Sequence, residues 1–166
     1  LIFRLRIHTI EPSMNYRKLG KANLSISEIS FGCWTMGELN WVNGIPNGWA
    51  EVNEDEITEA IKVGIDAGVN HFDNADVYGN GRAERMLARV FQRLGLDSTK
   101  FIVASKVGHH PGTAEHAYEP AHIRHQCEQS LINLKRDYLD IIASTTAISV
   151  PTTSTCRPPS RRWMRW

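Results

Sequence analysis

Residues 53–75 read NEDEITEAIKVGIDAGVNHFDNA, and this stretch holds two elements of different period. Ile57, Ala60, Ile61, Gly64 and Ile65 recur at helical spacing and form one apolar face. Asn53 is placed to cap that helix, and Glu56, three residues on, completes a capping-box pattern. Gly68 is placed to end it. From residue 69 to residue 75 the pattern becomes that of a strand.

The same alternation continues downstream. A second helix is expected over residues 83–94, with an apolar stripe of Met86, Leu87, Val90, Phe91 and Leu94, closed by Gly95. Residues 101–106 (FIVASK) read as a strand, apolar on both faces from 101 to 104, as a parallel strand buried on both sides should be. Pro120 suits the first turn of a third helix, whose inner face is Ile123, Cys127, Leu131 and Leu134. A further strand is expected over 138–142. Upstream, residues 16–20 and 24–29 form a hairpin across Lys21-Ala22-Asn23. A strand over 30–34 follows it, and then a long loop over 37–48. The order is hairpin, strand–helix three times, then one strand. Such alternation predicts an α/β fold with a parallel sheet and right-handed crossovers.

Composition sets the class. The chain has 166 residues, 42% hydrophobic and 22% charged, which fits one globular domain rather than a disordered chain. No apolar run approaches the roughly 20 residues of a membrane helix, so no membrane partner is expected. Arg4 and Arg6 interrupt the apolar start, so no secretory signal core is present. Cys33, Cys127 and Cys156 are widely spaced and odd in number, which suits a reducing cytoplasm better than a disulfide framework. The net charge of +1 hides an asymmetry. Residues 14–150 carry 13 Lys+Arg against 17 Asp+Glu, while six basic residues sit at the two ends. A mildly acidic body gives no electrostatic case for a nucleic-acid partner.

Sites in parallel α/β folds lie at the carboxyl ends of strands. Trp34, Asp73 with Tyr78, and Lys106 all fall at such ends. An acid, a phenol and an ammonium together suit proton donation to an oxygen. An unperturbed tyrosine, with a pKa of about 10, is a poor acid at neutral pH. A neighbouring ammonium favours phenolate, and a carboxylate can hold that ammonium charged and aimed. Carbonyl reduction needs such a donor when hydride reaches carbon. Asp73 alone fits a strand-end cap equally well, and Trp34 fits either a core position or a pocket wall. Gly79 and Gly81 lack the spacing of a phosphate loop and suit a simple turn. The histidines at 109, 110, 116, 122 and 125 come without cysteines in zinc spacing, so no metal is assigned to them.

YRKLG at 16–20, FGCWTMG at 31–37, FDNADVYGNGRAE at 72–84, ASK at 104–106 and LINLKRDYLDI at 131–141 together resemble the aldo-keto reductases. The resemblance covers residues 14–142. It implies the N-terminal half of a (β/α)8 TIM barrel preceded by a β-hairpin. It also implies NADPH as cofactor and a small carbonyl substrate, an aldehyde or ketone. By resemblance, Tyr78 is the general acid, Lys106 its tuner, and Asp73 the partner of Lys106 and a cofactor contact; Trp34 contacts substrate. The family also includes potassium-channel β subunits, so a non-enzymatic binding role is the alternative.

The sequence departs from the family in two ways. The family's histidine after the strand of residues 138–142 would fall near position 145, where Thr145 and Thr146 stand. A whole barrel needs about 250 residues. The family's main cofactor contacts lie in its second half. The expected organisation is a leader over 1–13, a half barrel over 14–145 and an irregular tail over 146–166. In that tail Pro151, Pro158 and Pro159 exclude a helix. A shifted reading frame or a premature splice near codon 142 would produce this pattern. A half barrel alone is expected to turn over little and to self-associate through its open sheet edges.

Overall fold

The computed structural model describes residues 14–42, 44–109 and 112–145. The leader over 1–13 and the tail over 146–166 lie outside the described residues. The first elements among the described residues are β1 (Tyr16–Lys18) and β2 (Ser25–Ser27), paired antiparallel with Tyr16 opposite Ser27. This is the expected hairpin. The main sheet contains β3 (Phe31–Gly32), β6 (His71–Asp73), β7 (Ile102–Val107) and β8 (Ile141–Ser144), parallel and in that spatial order. Between them come α1 (Glu54–Asp66), α2 (Arg82–Arg93) and α3 (Pro120–Leu134). Strand order follows chain order, so each strand–helix unit adds one strand beside the last. This is a partial α/β barrel of the expected class.

Helix boundaries follow the sequence signals. The Asn53 side chain accepts from Asp55 N at 2.8 Å, so the cap closes on Asp55 rather than on Glu56. Glu54, Asp55 and Glu56 occupy the first turn, where the helix dipole favours anions. Pro120 stands at the start of α3.

The core fills the space between the sheet's outer face and the helices. Phe72 from β6 is fully buried there. It meets the edges of Phe91 at 5.0 Å and Phe101 at 5.7 Å and lies 5.8 Å from Phe31. Val103, Met86, Leu87, Val90, Leu131 and Leu134 are among the residues packed with it. Because strand side chains alternate, His71 and Asp73 flank Phe72 on the opposite, inner face. Ala104 lies opposite Asp73, so Lys106, two residues on, shares that inner face.

Three expectations need correction. Residues 37–48 are not a long loop. Trp34–Gly37 form a 3-10 turn, and β4 (Leu39–Val42) then pairs antiparallel with β5 (Ile45–Gly48). Asn43-Gly44 between β-forming residues carries that hairpin signal. Pro46 obscured it, yet a two-stranded ribbon tolerates proline, as an edge strand does. The first sheet strand stops at Gly32, and Trp34 lies in the turn beyond it. The last strand spans 141–144 rather than 138–142. Asp140 explains that shift: its carboxylate accepts from Val103 N at 2.9 Å and from Arg136 at 3.0 Å, so a side chain pins this stretch before the ladder begins.

Candidate active site

The carboxyl ends of β6 and β7 bring Asp73, Tyr78 and Lys106 together. Asp73 ends β6, and the chain turns through Asn74 to Gly81 before α2. That turn is fastened to the next strand, since Asn74 N donates to Ala104 O at 3.0 Å and Asp76 N to Lys106 O at 3.3 Å. Tyr78 N then donates to Ala75 O, and Ala83 N to Tyr78 O. The result holds the phenol over the end of β7.

Lys106 Nζ lies 2.7 Å from Asp73 Oδ1, 3.0 Å from Tyr78 Oη and 2.9 Å from Asn74 O. An ammonium has three hydrogens, and these three acceptors take all of them. The nitrogen also stands 4.8 Å from the centre of the Tyr78 ring. Burial works against the charge. The hydrogen bonds to Asp73 and Tyr78, with their electrostatic attraction, outweigh it and hold Lys106 above the ordinary lysine range. Lys106 has no acceptor site, so Tyr78 Oη must be the acceptor in their bond. The phenol hydrogen then points elsewhere, and among the described residues nothing accepts it. The arrangement can present that hydrogen to an incoming oxygen.

Trp34 stacks on Tyr78, with ring centres 6.2 Å apart and planes 29° from parallel. It is 42% exposed, so it is not a core residue. Trp49, just after β5, meets the Trp34 ring edge-on at 5.5 Å. Sequence reasoning missed Trp49 because the hairpin that delivers it was read as a loop. The glycine turn after Tyr78 is closed by neighbours. A Cβ on Gly79 would collide with Gly37 O, and one on Gly81 with the Asn133 side chain. Gly79 and Gly81 both have positive φ, as such a turn requires.

Thr145 stands just past β8. Its N donates to Val107 O at 2.9 Å and its hydroxyl donates to the same oxygen at 3.2 Å. Glu84, which sequence alone would place at the surface, is fully buried. It accepts from Ser105 Oγ at 2.6 Å and from Asn133 Nδ2 at 2.9 Å, tying α2 to β7 and α3 beneath the site.

Comparison with known proteins agrees with this architecture. Residues 28–146 match the model of the aldo/keto reductase family. The chain is 32% identical over 131 residues to an Arabidopsis thaliana protein named "Probable voltage-gated potassium channel subunit beta", covering 78% of this chain and 36% of that one. It is 28% identical over 126 residues to L-galactose dehydrogenase of Arabidopsis thaliana, covering 76% and 36%. Among solved structures, the holo form of an aldo-keto reductase from Bacillus halodurans superimposes with a TM-score of 0.60 at 25% identity, covering 79% of this chain and 40% of that one. The chain spans little more than a third of the length of these curated relatives. With the family model covering most of its residues and the strand–helix repeat matching, the chain belongs to the aldo/keto reductase family.

Proposed function

We propose that this chain carries the proton-donating part of an NADPH-dependent reductase that converts an aldehyde or ketone to an alcohol. The observation that carries the reading is that Tyr78 Oη accepts from Lys106, so that its own hydrogen is left without an acceptor among the described residues. In this reading the substrate carbonyl accepts that hydrogen bond. Lys106 stabilises the charge left on the phenol oxygen as the proton moves, and Asp73 keeps Lys106 charged and aimed. Trp34 walls the pocket. NADPH, when bound, supplies the hydride. The half-exposed carboxylate of Asp73 at the mouth supports it as a contact for the reacting end of that cofactor. The closed Gly79–Gly81 turn does not suit its diphosphate. Cys33 and Cys127 are unpaired, which supports a cytoplasmic setting.

We expect the 166 residues alone to turn over little, because Thr145 and Thr146 stand near where the family's histidine is expected. We also expect the chain alone to self-associate, because β3 and β8 are the outermost strands of its main sheet among the described residues. A sedimentation profile showing only monomer would rule out self-association. The rival reading is a binding or regulatory module, favoured by the potassium-channel name of the Arabidopsis relative.

The test pairs two readouts on the chain and on Tyr78→Phe. One is NADPH oxidation with a simple ketone, and the other is the carbonyl 13C shift of that ketone when bound. Carbonyl polarisation lost in Tyr78→Phe, with no turnover, supports the whole proposal. Turnover lost in Tyr78→Phe keeps the reductase reading and removes the impairment. Neither signal sinks the reductase reading and leaves the binding module.

A further inference from the structure

The hairpin of β4 and β5 is keyed onto the loop that carries Tyr78. Arg82 donates to Gly37 O at 2.9 Å and pairs with Glu38 at 3.1 Å. Asn40 and Asn80 exchange side-chain amide bonds at 3.2 and 3.3 Å, and Asn40 also donates to Val77 O at 3.3 Å. Trp49 N closes the base of the hairpin on Glu38 O at 3.3 Å. Three rings run outward from the phenol: Tyr78, then Trp34 stacked on it, then Trp49 edge-on to Trp34. Trp34 and Trp49 are 42% and 48% exposed, although each is already held by a ring partner.

From this we infer that Trp49 is a specificity-determining residue, which with Trp34 forms a fixed aromatic wall that selects flat, ring-bearing carbonyl compounds over saturated ones. The inference rests on the proposed carbonyl chemistry at Tyr78. A wall fixed by side-chain and backbone bonds loses little freedom when a ring docks against it. Aromatic pairing adds to area burial an amount equivalent to about 2- to 12-fold in affinity. A saturated ring of the same carbon count gains the burial without the pairing. The carbonyl attached to such a ring then reaches the phenol at the inner end of the row.

The experiment uses the 166-residue chain with two probes, acetophenone and cyclohexyl methyl ketone, each 13C-labelled at the carbonyl. Titrations follow the tryptophan indole N–H signals for the wall and the carbonyl carbon for Tyr78. Acetophenone should bind about 2- to 12-fold more tightly, and the Trp34 and Trp49 signals should move. Trp49→Leu should erase the preference while keeping apolar bulk. Trp41→Leu, on the same hairpin but in no ring pair among the described residues, should not. Equal affinity for the two ketones, a preference that survives Trp49→Leu, or no binding of either ketone overturns the wall. Indole shifts with the expected preference but an unmoved carbonyl carbon overturn the role of Tyr78 and leave the wall standing.

Discussion

Gly37 and Gly79 meet backbone to backbone, and this contact joins the aromatic hairpin to the phenol loop. A Cβ on Gly37 would stand 2.7 Å from Gly79 N and from Tyr78 C. Gly37→Ala should therefore push the two loops apart, at about 1–3 kcal/mol of stability. The Trp34–Tyr78 stack should separate with them, seen as a changed near-ultraviolet dichroism. Gly32→Ala, around which the structure has open space, is the control and should be near neutral.

Glu84 should be a structural keystone rather than a surface charge. Removing its carboxylate leaves the buried Ser105 hydroxyl only the longer 3.4 Å contact with Ser130 and takes an acceptor from the half-buried Asn133 amide. Glu84→Ala should cost about 3 kcal/mol in urea unfolding, and Glu84→Gln about 1 kcal/mol, since glutamine can still accept one of the two bonds. Equal, small losses in both variants would show the buried bonds to be unimportant.

His71 gives the fold a pH dependence with a defined sign. Burial pushes its imidazole below the ordinary value of 6.5, against the pull of Asp73 and Asp140. Its Nδ1 pairs with Ser30 Oγ at 2.6 Å, while Nε2 is buried without a partner among the described residues. Below 6.5 the unfolded chain takes up a proton that the folded chain resists, so stability falls as pH falls. Between about pH 7 and pH 5 the wild type should lose stability faster than His71→Gln. Parallel curves would contradict this.

Lys106 has the opposite sign at the other end of the scale. Its hydrogen bonds to Asp73 and Tyr78 overcome burial and hold it above the ordinary 10.5. The folded chain holds this proton more tightly than the unfolded chain does. Its contribution is fully present below 10.5 and is lost as pH rises through the raised value. The stability difference between wild type and Lys106→Met should be flat through neutral pH and should shrink above 10.5. A difference already shrinking near neutrality would contradict it.

Much of this was legible in the residues because period and punctuation agree. The spacing of Ile57, Ala60, Ile61 and Ile65, the Asn53 cap and Pro120 each fixed a helix that the structure contains. The strand-end rule grouped Asp73, Tyr78 and Lys106, because parallel register brings strand ends to one rim whatever their separation in sequence. The hairpin within 37–48 is hard to read because Pro46 falls inside its second strand, and Trp49 goes unread with it. Glu84 was invisible for another reason. A glutamate on a helix is normally solvated, and only tertiary packing supplies the serine and asparagine that satisfy it inside. The last strand was placed three residues early because apolar pattern alone does not see Asp140 tied by its side chain to Val103.

The most direct test of the central claim is the carbonyl 13C shift of labelled acetophenone bound to the chain and to Tyr78→Phe. A phenol hydrogen aimed at the carbonyl draws electron density from its carbon, so the signal should move downfield on binding and return to the free position in Tyr78→Phe. The same downfield shift in both proteins would mean that another group polarises the carbonyl, and Tyr78 would not be the proton donor.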